Sequence, residues 1–283
     1  MDFIVGEKFY NIADFIYSTD NVEYNNEDYN KLQNTFDINS LNQLNIVYLH
    51  TMYKEQFFNI IRNLDKKFII ITHNSDLNID TVDNLPSNVI KWFSQNVNVF
   101  DERLESIPIG LENSRWFKDL YKKEKIINKH KEIKSIKNLL YINHNINTNR
   151  TERLEPYLLL KNKDWCHIES GSNGQNFDNY INNLYNHKFV LCPNGNGIDT
   201  HRLWETLYLN TIPIVKNGIN VSFYKDLPIC FVDNWNQITE DFLNNEFVRI
   251  KSSIWNLDKL KMEFWKNKII NEKTFYYNNS TYK

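Results

Sequence analysis

The 283-residue chain contains a single alanine, Ala13, with only 7 glycines and 6 prolines. So little Gly and Pro excludes collagen-like and linker-like sequence. Three cysteines, Cys166, Cys192 and Cys230, are odd in number and too widely spaced for a disulfide framework or a zinc ribbon, so reduced thiols are expected. Charge of either sign is also lacking in excess. With 33 Lys+Arg against 35 Asp+Glu the net charge is −2, which excludes the broad basic surface that neutralises a nucleic-acid backbone. No window approaches the roughly 18 apolar residues of a membrane span, and the opening Met-Asp-Phe-Ile-Val-Gly-Glu lacks the features of a secretory signal. A soluble, cytoplasmic protein is expected.

What is abundant is Asn, at 45 residues. Asn, Ile, Lys, Tyr and Phe have AT-rich codons whereas Ala, Gly and Pro have GC-rich ones, so the skew points to an AT-rich genome such as that of a large DNA virus, a protist or a low-GC bacterium. Each surviving Gly or Pro is then more informative than usual. At 41% hydrophobic and 14% aromatic the chain can bury a sizeable core.

Apolar periodicity predicts a short helix around Phe9–Ile16, a strand at Leu44–Leu49, a helix from Tyr53 to Leu64 with Phe57, Phe58, Ile60 and Ile61 inward, and a strand at Phe68–Thr72. Val89–Phe93 reads as another short helix, with strands at Val97–Phe100 and Ser106–Leu111. A charged, solvated helix is expected over Phe117–Lys137. The alternation then restarts: strand Leu139–Ile142, helix Arg150–Leu160, strand Asp164–Ile168, helix Phe177–Tyr185, strand Lys188–Cys192, helix Thr200–Leu209, and strands at Ile212–Val215 and Ile229–Val232. Strand-helix-strand units of this kind build parallel α/β sheets. The expected organisation is an α/β domain over 1–115, a linker helix over 116–138, a second α/β domain over 139–250, and a C-terminal helix and tail over 251–283 packing back on the first. A ligand is expected in the cleft between two such sheets. Trp92, Trp116, Trp165, Trp204 and Trp235 are candidates to stack on sugars, although most are expected in the core.

The informative stretch runs from Lys188 to Lys216. Asn194-Gly195-Asn196-Gly197 follows a strand and precedes a helix capped by Asp199 or Thr200. A loop without side chains lets backbone amides approach a phosphate, and the helix N-terminus adds positive potential. His201 and Arg202 would add charge in the first turn. Glu205 lies about 6 Å further along the axis at 1.5 Å per residue, the separation of a diphosphate from its ribose. The alternative is a plain turn with a surface carboxylate. His201 and Glu205 lack a third ligand for a metal site, and neither the third glycine of a Rossmann fingerprint nor a P-loop is present.

The run Cys192-Pro-Asn-Gly-Asn-Gly-Ile-Asp-Thr-His-Arg-Leu-Trp-Glu-Thr-Leu207, followed by Pro213-Ile-Val215, resembles the nucleotide-sugar site of exostosin-like glycosyltransferases. Weaker echoes lie at Trp92–Asn96 and Ile107–Asn113. Asn194 departs from the resemblance, standing where many relatives have a basic residue. The resemblance implies a GT-B-like fold of two Rossmann-like domains, donor binding by the second, and transfer of sugar with inversion. The donor would be a nucleoside-diphosphate sugar, UDP-linked in the first instance, and the acceptor a glycan, with no cofactor. No Asp-x-Asp occurs, so the metal motif of the GT-A class is missing and metal-independent chemistry is expected. Arg150 and Arg153, after the strand Leu139–Ile142, would assist His201 and Arg202 on the phosphates. Inversion needs a base for the acceptor hydroxyl. Glu112, His73 and Asp76 lead the candidates at strand ends, ahead of His50 and Glu7. A GDP-sugar transferase of fucosyltransferase type, an inactive glycan-binding relative and a nucleotide-sugar hydrolase are the alternatives.

Overall fold

Near-continuous apolar runs mark strands buried on both faces. The two longest of the first half, β2 (Leu44–His50) and β3 (Lys67–His73), lie in parallel with Leu44 beside Lys67 and His50 beside His73. In the computed structural model, which describes residues 2–18, 34–113, 121–136, 138–170 and 176–280, they are flanked by β1 (Phe15–Tyr17), β4 (Val89–Ser94) and β5 (Leu104–Ser106). The order is β1-β2-β3-β4-β5, all parallel. A four-residue helix, α1 (Gly6–Phe9), precedes the sheet, and α2 (Lys54–Ile61) buries Phe57, Phe58 and Ile61 while Ile60 stays only half-buried.

Four local expectations are corrected here, the first being the strand expected at Ser106–Leu111: the strand is Leu104–Ser106, and Gly110 and Leu111 form only isolated bridges to Val5. The helix expected at Val89–Phe93 is strand β4, because a short apolar run rich in Val, Ile, Trp and Phe fits a pleated surface and Trp92 Nε1 donates to Thr72 Oγ1 on β3 at 2.9 Å. Val97–Phe100 is not a strand: Asn96 adopts a left-handed φ of 57°, Val97 forms an isolated bridge to Ile79, and Phe100 is 70% exposed. The helix expected around Phe9–Ile16 stops early, since Ala13 is extended and Phe15 already pairs with Val47.

The second sheet contains β6 (Asn138–His144), β7 (Cys166–Ser170), β8 (His187–Leu191), β9 (Ile212–Lys216) and β10 (Cys230–Val232) in the order β10-β9-β8-β6-β7, all parallel. Its helices are α3 (Tyr121–Lys129), α4 (Arg150–Leu160), α5 (Phe177–Asn186), α6 (His201–Tyr208), α7 (Ile219–Ser222) and α8 (Glu240–Ser252). Leu140, Ile142, Phe189, Leu191, Ile212 and Ile214 share one core with Trp235, Leu243 and Ile250. Burial of each such side chain contributes about 1.5–3 kcal/mol before entropy is charged against it. From β6 the chain steps to β7 on one side, then crosses to β8 on the other and continues outward. The order therefore reverses between β6 and β8.

The chain divides into two compact units, residues 117–260 and residues 2–116 with 261–283. Helix α9 (Met262–Ser280) is tied within the latter by Glu263 N donating to Asp2 Oδ2 at 2.8 Å and by a Lys273–Asp14 ion pair at 2.6 Å. The charged segment around α3 belongs with the other unit. Ile126 is buried there, Tyr185 Oη donates to Glu132 O at 2.9 Å, and Lys134 Nζ donates to Leu209 O and Asn210 O at 3.1 and 2.9 Å. Residues 116–120 and 137 of the expected linker helix, Trp116 among them, lie outside the described residues. The protein is thus an α/β chain of two Rossmann-like units, the make-up of a GT-B-like fold. Among the described residues the non-glycine positions with positive φ are all asparagine: Asn74, Asn96 and Asn210, at 59°, 57° and 54°. No helix among them is long and apolar enough to cross a membrane.

Candidate functional site

In an open parallel sheet the carboxyl ends of two strands part where the strand order reverses, leaving a crevice for a ligand. Here that position is set by His144, which ends β6, and by the loop from Cys192 that follows β8. Asn149 caps α4, its side chain accepting from Glu152 N at 3.2 Å while its Nδ2 donates to Gly195 O at 2.7 Å. One turn on, Arg153 is 6% exposed; its Nε donates to Asn194 O at 2.8 Å and its Nη1 to Asn145 O at 2.9 Å. The glycine loop is therefore gripped by α4.

This grip changes the reading of Gly195. Its N–H donates to Gly197 O at 3.0 Å, so that amide is used inside the loop and does not point at a phosphate. A Cβ on Gly195 would lie 2.9 Å from Arg153 Nη2. The glycine gives room to a guanidinium instead. Arg153 and Arg150 also separate: Arg150 is exposed on the first turn of α4, and Arg153 is the one directed to the loop. Asn194 is half-buried, Asn196 exposed and Gly197 buried.

Thr200 is the N-cap of α6, extended at φ −132°, but its side chain makes no capping bond. Asp199 is 4% exposed, and both its carboxylate oxygens accept from Trp204 Nε1, at 2.9 and 3.0 Å. Trp204, fully buried, packs edge-on against Tyr224 with ring centroids 5.0 Å apart. Asp199 thus anchors the start of α6 and not a ligand. His201 and Arg202 are half-exposed in the first turn. Glu205, expected to meet a ribose, is only 3% exposed, and its Oε2 accepts from Tyr180 Oη on α5 at 2.5 Å.

Two guanidiniums and the Glu205 carboxylate set the electrostatics. Burial and then Arg202 push the Arg153 guanidinium down to about 10, and burial, Arg202 and Arg153 push His144 down to about 4. Among the described residues neither Arg153 nor Arg202 has an ion-pair partner, and Arg202 Nε is buried without a hydrogen-bond acceptor. Burial, with the Glu205 charge, raises the Tyr180 phenol well above its ordinary value, and burial raises the Cys192 thiol to about 12. Cys192 is thus an inert thiol. Among the described residues no group of three or more His, Cys, Asp or Glu could hold a metal ion.

The base candidates lie at the carboxyl end of the first sheet. His73 is 1% exposed and stacked on Phe9, with Nδ1 3.1 Å from Asn74 Oδ1 and Nε2 3.1 Å from Pro108 O. Both ring nitrogens are occupied and enclosed, which corrects its candidacy as a base open to a hydroxyl. Asp76 is exposed in the loop after β3. Glu112 and Glu7 are both half-buried, and Asn113 Oδ1 accepts from Glu7 N at 3.1 Å. His50 is half-buried and its Nδ1 accepts from Met52 N at 3.4 Å. Sequence reasoning missed His144, Asn149 and Tyr180. Asn149 was legible as Asn-x-x-Glu152, an N-cap signature; the other two reach the site only through the fold.

No protein-family model and no curated protein matches the chain. Among solved structures, the UDP-GlcNAc 2-epimerase from Methanocaldococcus jannaschii is similar over 82% of this chain and 77% of its own, at 9% identity and a TM-score of 0.35. Those values are too low to carry a functional likeness.

Proposed function

We propose that the chain is a metal-independent, inverting glycosyltransferase whose donor is a nucleoside-diphosphate sugar, UDP-linked, and whose acceptor is a glycan. The observation that carries this reading is the pair Arg153 and Arg202 at the strand-order reversal, two guanidiniums without an ion-pair partner among the described residues, with Arg202 Nε buried and unbonded. Two like charges at one place call for an anion that bears more than one charge. A diphosphate supplies it, at the position where parallel α/β sheets bind nucleotides.

In this reading Arg202 and Arg153 take up the charge that grows on the leaving diphosphate as the bond to the anomeric carbon breaks, which lowers the barrier by pre-placed electrostatics. Glu205, oriented by Tyr180, accepts from the ribose hydroxyls. A base takes the proton of the attacking acceptor hydroxyl, and attack opposite the leaving group inverts the anomeric centre.

Calorimetry of UDP, GDP and CMP binding in the presence of EDTA tests the proposal. UDP is expected to bind in EDTA more tightly than the other two. Preference for GDP overturns the uridine assignment, restoration of lost binding by Mn²⁺ overturns metal independence, and binding of none of the three with or without metal overturns the donor reading.

A further inference from the structure

Among the groups at the reversal point, His144 stands apart because it is enclosed yet incompletely bonded. It is 5% exposed, and its Nε2 lies 3.2 Å from Arg153 O. A carbonyl oxygen can only accept, so Nε2 carries the hydrogen, and in a neutral imidazole Nδ1 then holds the lone pair. That Nδ1 is buried and has no hydrogen-bond partner among the described residues. Leaving a buried acceptor unsatisfied costs about 1–3 kcal/mol, and native proteins keep few such groups without a use for them.

The charges facing this ring are known from each neighbouring element. Arg153 on α4 and Arg202 on α6 act on it directly, and both are positive. Around those guanidiniums the other titratable groups are Cys192 after β8, Glu205 on α6 and Tyr180 on α5. In the free protein an imidazolium would be a third cation in an enclosed place, against the one Glu205 carboxylate, which Tyr180 already holds, so the ring is neutral. A bound diphosphate reverses the sign of that field.

We propose that His144 takes up a proton when a diphosphate binds beside Arg153 and Arg202, so that Nδ1–H, absent in the free protein, donates to a phosphate oxygen. The proposal rests on the donor reading above. The proton comes from solvent and returns to it when the diphosphate leaves, and no covalent bond of the nucleotide changes in the step. The ring's opposite edge stays fixed by Arg153 O, which keeps Nδ1 in one orientation through both states. By linkage, the affinity for diphosphate rises as pH falls through the range where the bound imidazole titrates, by up to about tenfold per pH unit.

The test is calorimetry of UDP binding in EDTA at about pH 6, in non-phosphate buffers of different ionisation enthalpy, for the wild type and for His144→Gln. The dependence of heat on buffer gives the protons taken up, and the nucleotide's own titration is common to both proteins. The wild type is expected to take up close to one proton more than the variant. Equal uptake overturns the role of His144 and leaves the donor reading intact; absence of UDP binding in the wild type overturns both. The imidazole carbon and nitrogen resonances of His144 in the unsubstituted protein give a second measurement that is independent of the variant's folding. They are expected to move from the neutral to the doubly protonated form on saturation with UDP, and a ring that stays neutral overturns the proposal.

Discussion

Tyr180 donates its phenolic hydrogen to Glu205 across 2.5 Å, joining the start of α5 to the middle of α6. The carboxylate is 3% exposed, so this is a charge-assisted bond inside the protein and not on its surface. Tyr180→Phe removes the donor and keeps the ring. It is expected to lower stability by about 1.5–3 kcal/mol in denaturant titrations, and a change under 0.5 kcal/mol would show that Glu205 is held by other groups.

The same carboxylate is assigned to the ribose. Glu205→Gln is therefore expected to weaken UDP binding at least tenfold, the equivalent of about 1.4 kcal/mol, and 2′-deoxy-UDP binding less. Calorimetry of both nucleotides with both proteins forms a double-mutant cycle. Additive losses would mean that Glu205 does not touch the 2′-hydroxyl.

Arg202 and Arg150 offer a contrast within one experiment. Losing a charge-assisted contact to the diphosphate in Arg202→Gln is expected to cut UDP affinity about ten- to a hundredfold, whereas Arg150→Gln, at an exposed position, changes it less than about threefold. Equal effects of the two would move the phosphates out to the first turn of α4.

Gly195→Ala places a methyl group 2.9 Å from Arg153 Nη2 and disturbs the contact that holds Asn194 O. The expected cost is about 1–3 kcal/mol of stability, as for other overpacked sites. In an Arg153→Ala background most of that cost should vanish. If Gly195→Ala costs the same in both backgrounds, the glycine is required by its own backbone and not by the guanidinium.

Acid should weaken the free protein through two histidines. His144 and His187 are both held down to about 4, chiefly by burial, against an ordinary 6.5. The unfolded chain therefore binds up to two more protons between these limits, and stability is complete above about pH 6.5 and lost as pH falls toward 4. The slope is expected to reach about 1.4 kcal/mol per pH unit for each ring. His187→Gln should remove its share, seen in urea midpoints measured from pH 7 to 4.5, and an unchanged slope would show that other groups carry the acid sensitivity.

Strong periodicity made much of the architecture legible. Arg150–Leu160 and Phe177–Tyr185 carried an apolar face, and they emerge as α4 and α5 with boundaries within a residue. Val89–Phe93 was ambiguous because so short an apolar run suits a helix or a buried strand, and only the pairing with β3 decides. At the site, the Lys188–Lys216 stretch showed the glycine loop and the helix but not their partners. Whether Arg150 or Arg153 turns inward depends on where Asn149 starts the helix. Tyr180 and His144 come from elements distant in sequence, so no local spacing could announce them.

The three left-handed asparagines show how a chain poor in glycine still turns its corners. Asn74 and Asn96 do so while bonded, Nδ2 donating to Tyr48 Oη at 2.9 Å in the first and to Ser75 O at 2.9 Å in the second. At Asn210, which follows the cap of α6 and is exposed, the side chain reaches only to a 3.5 Å contact with His130. Glycine would satisfy the dihedral angle at all three positions but would strip the first two of a polar tether. At Asn74 and Asn96 the asparagine thus serves both the dihedral angle and a bond that glycine cannot make, whereas at Asn210 a glycine would keep the angle and lose only the weak contact to His130.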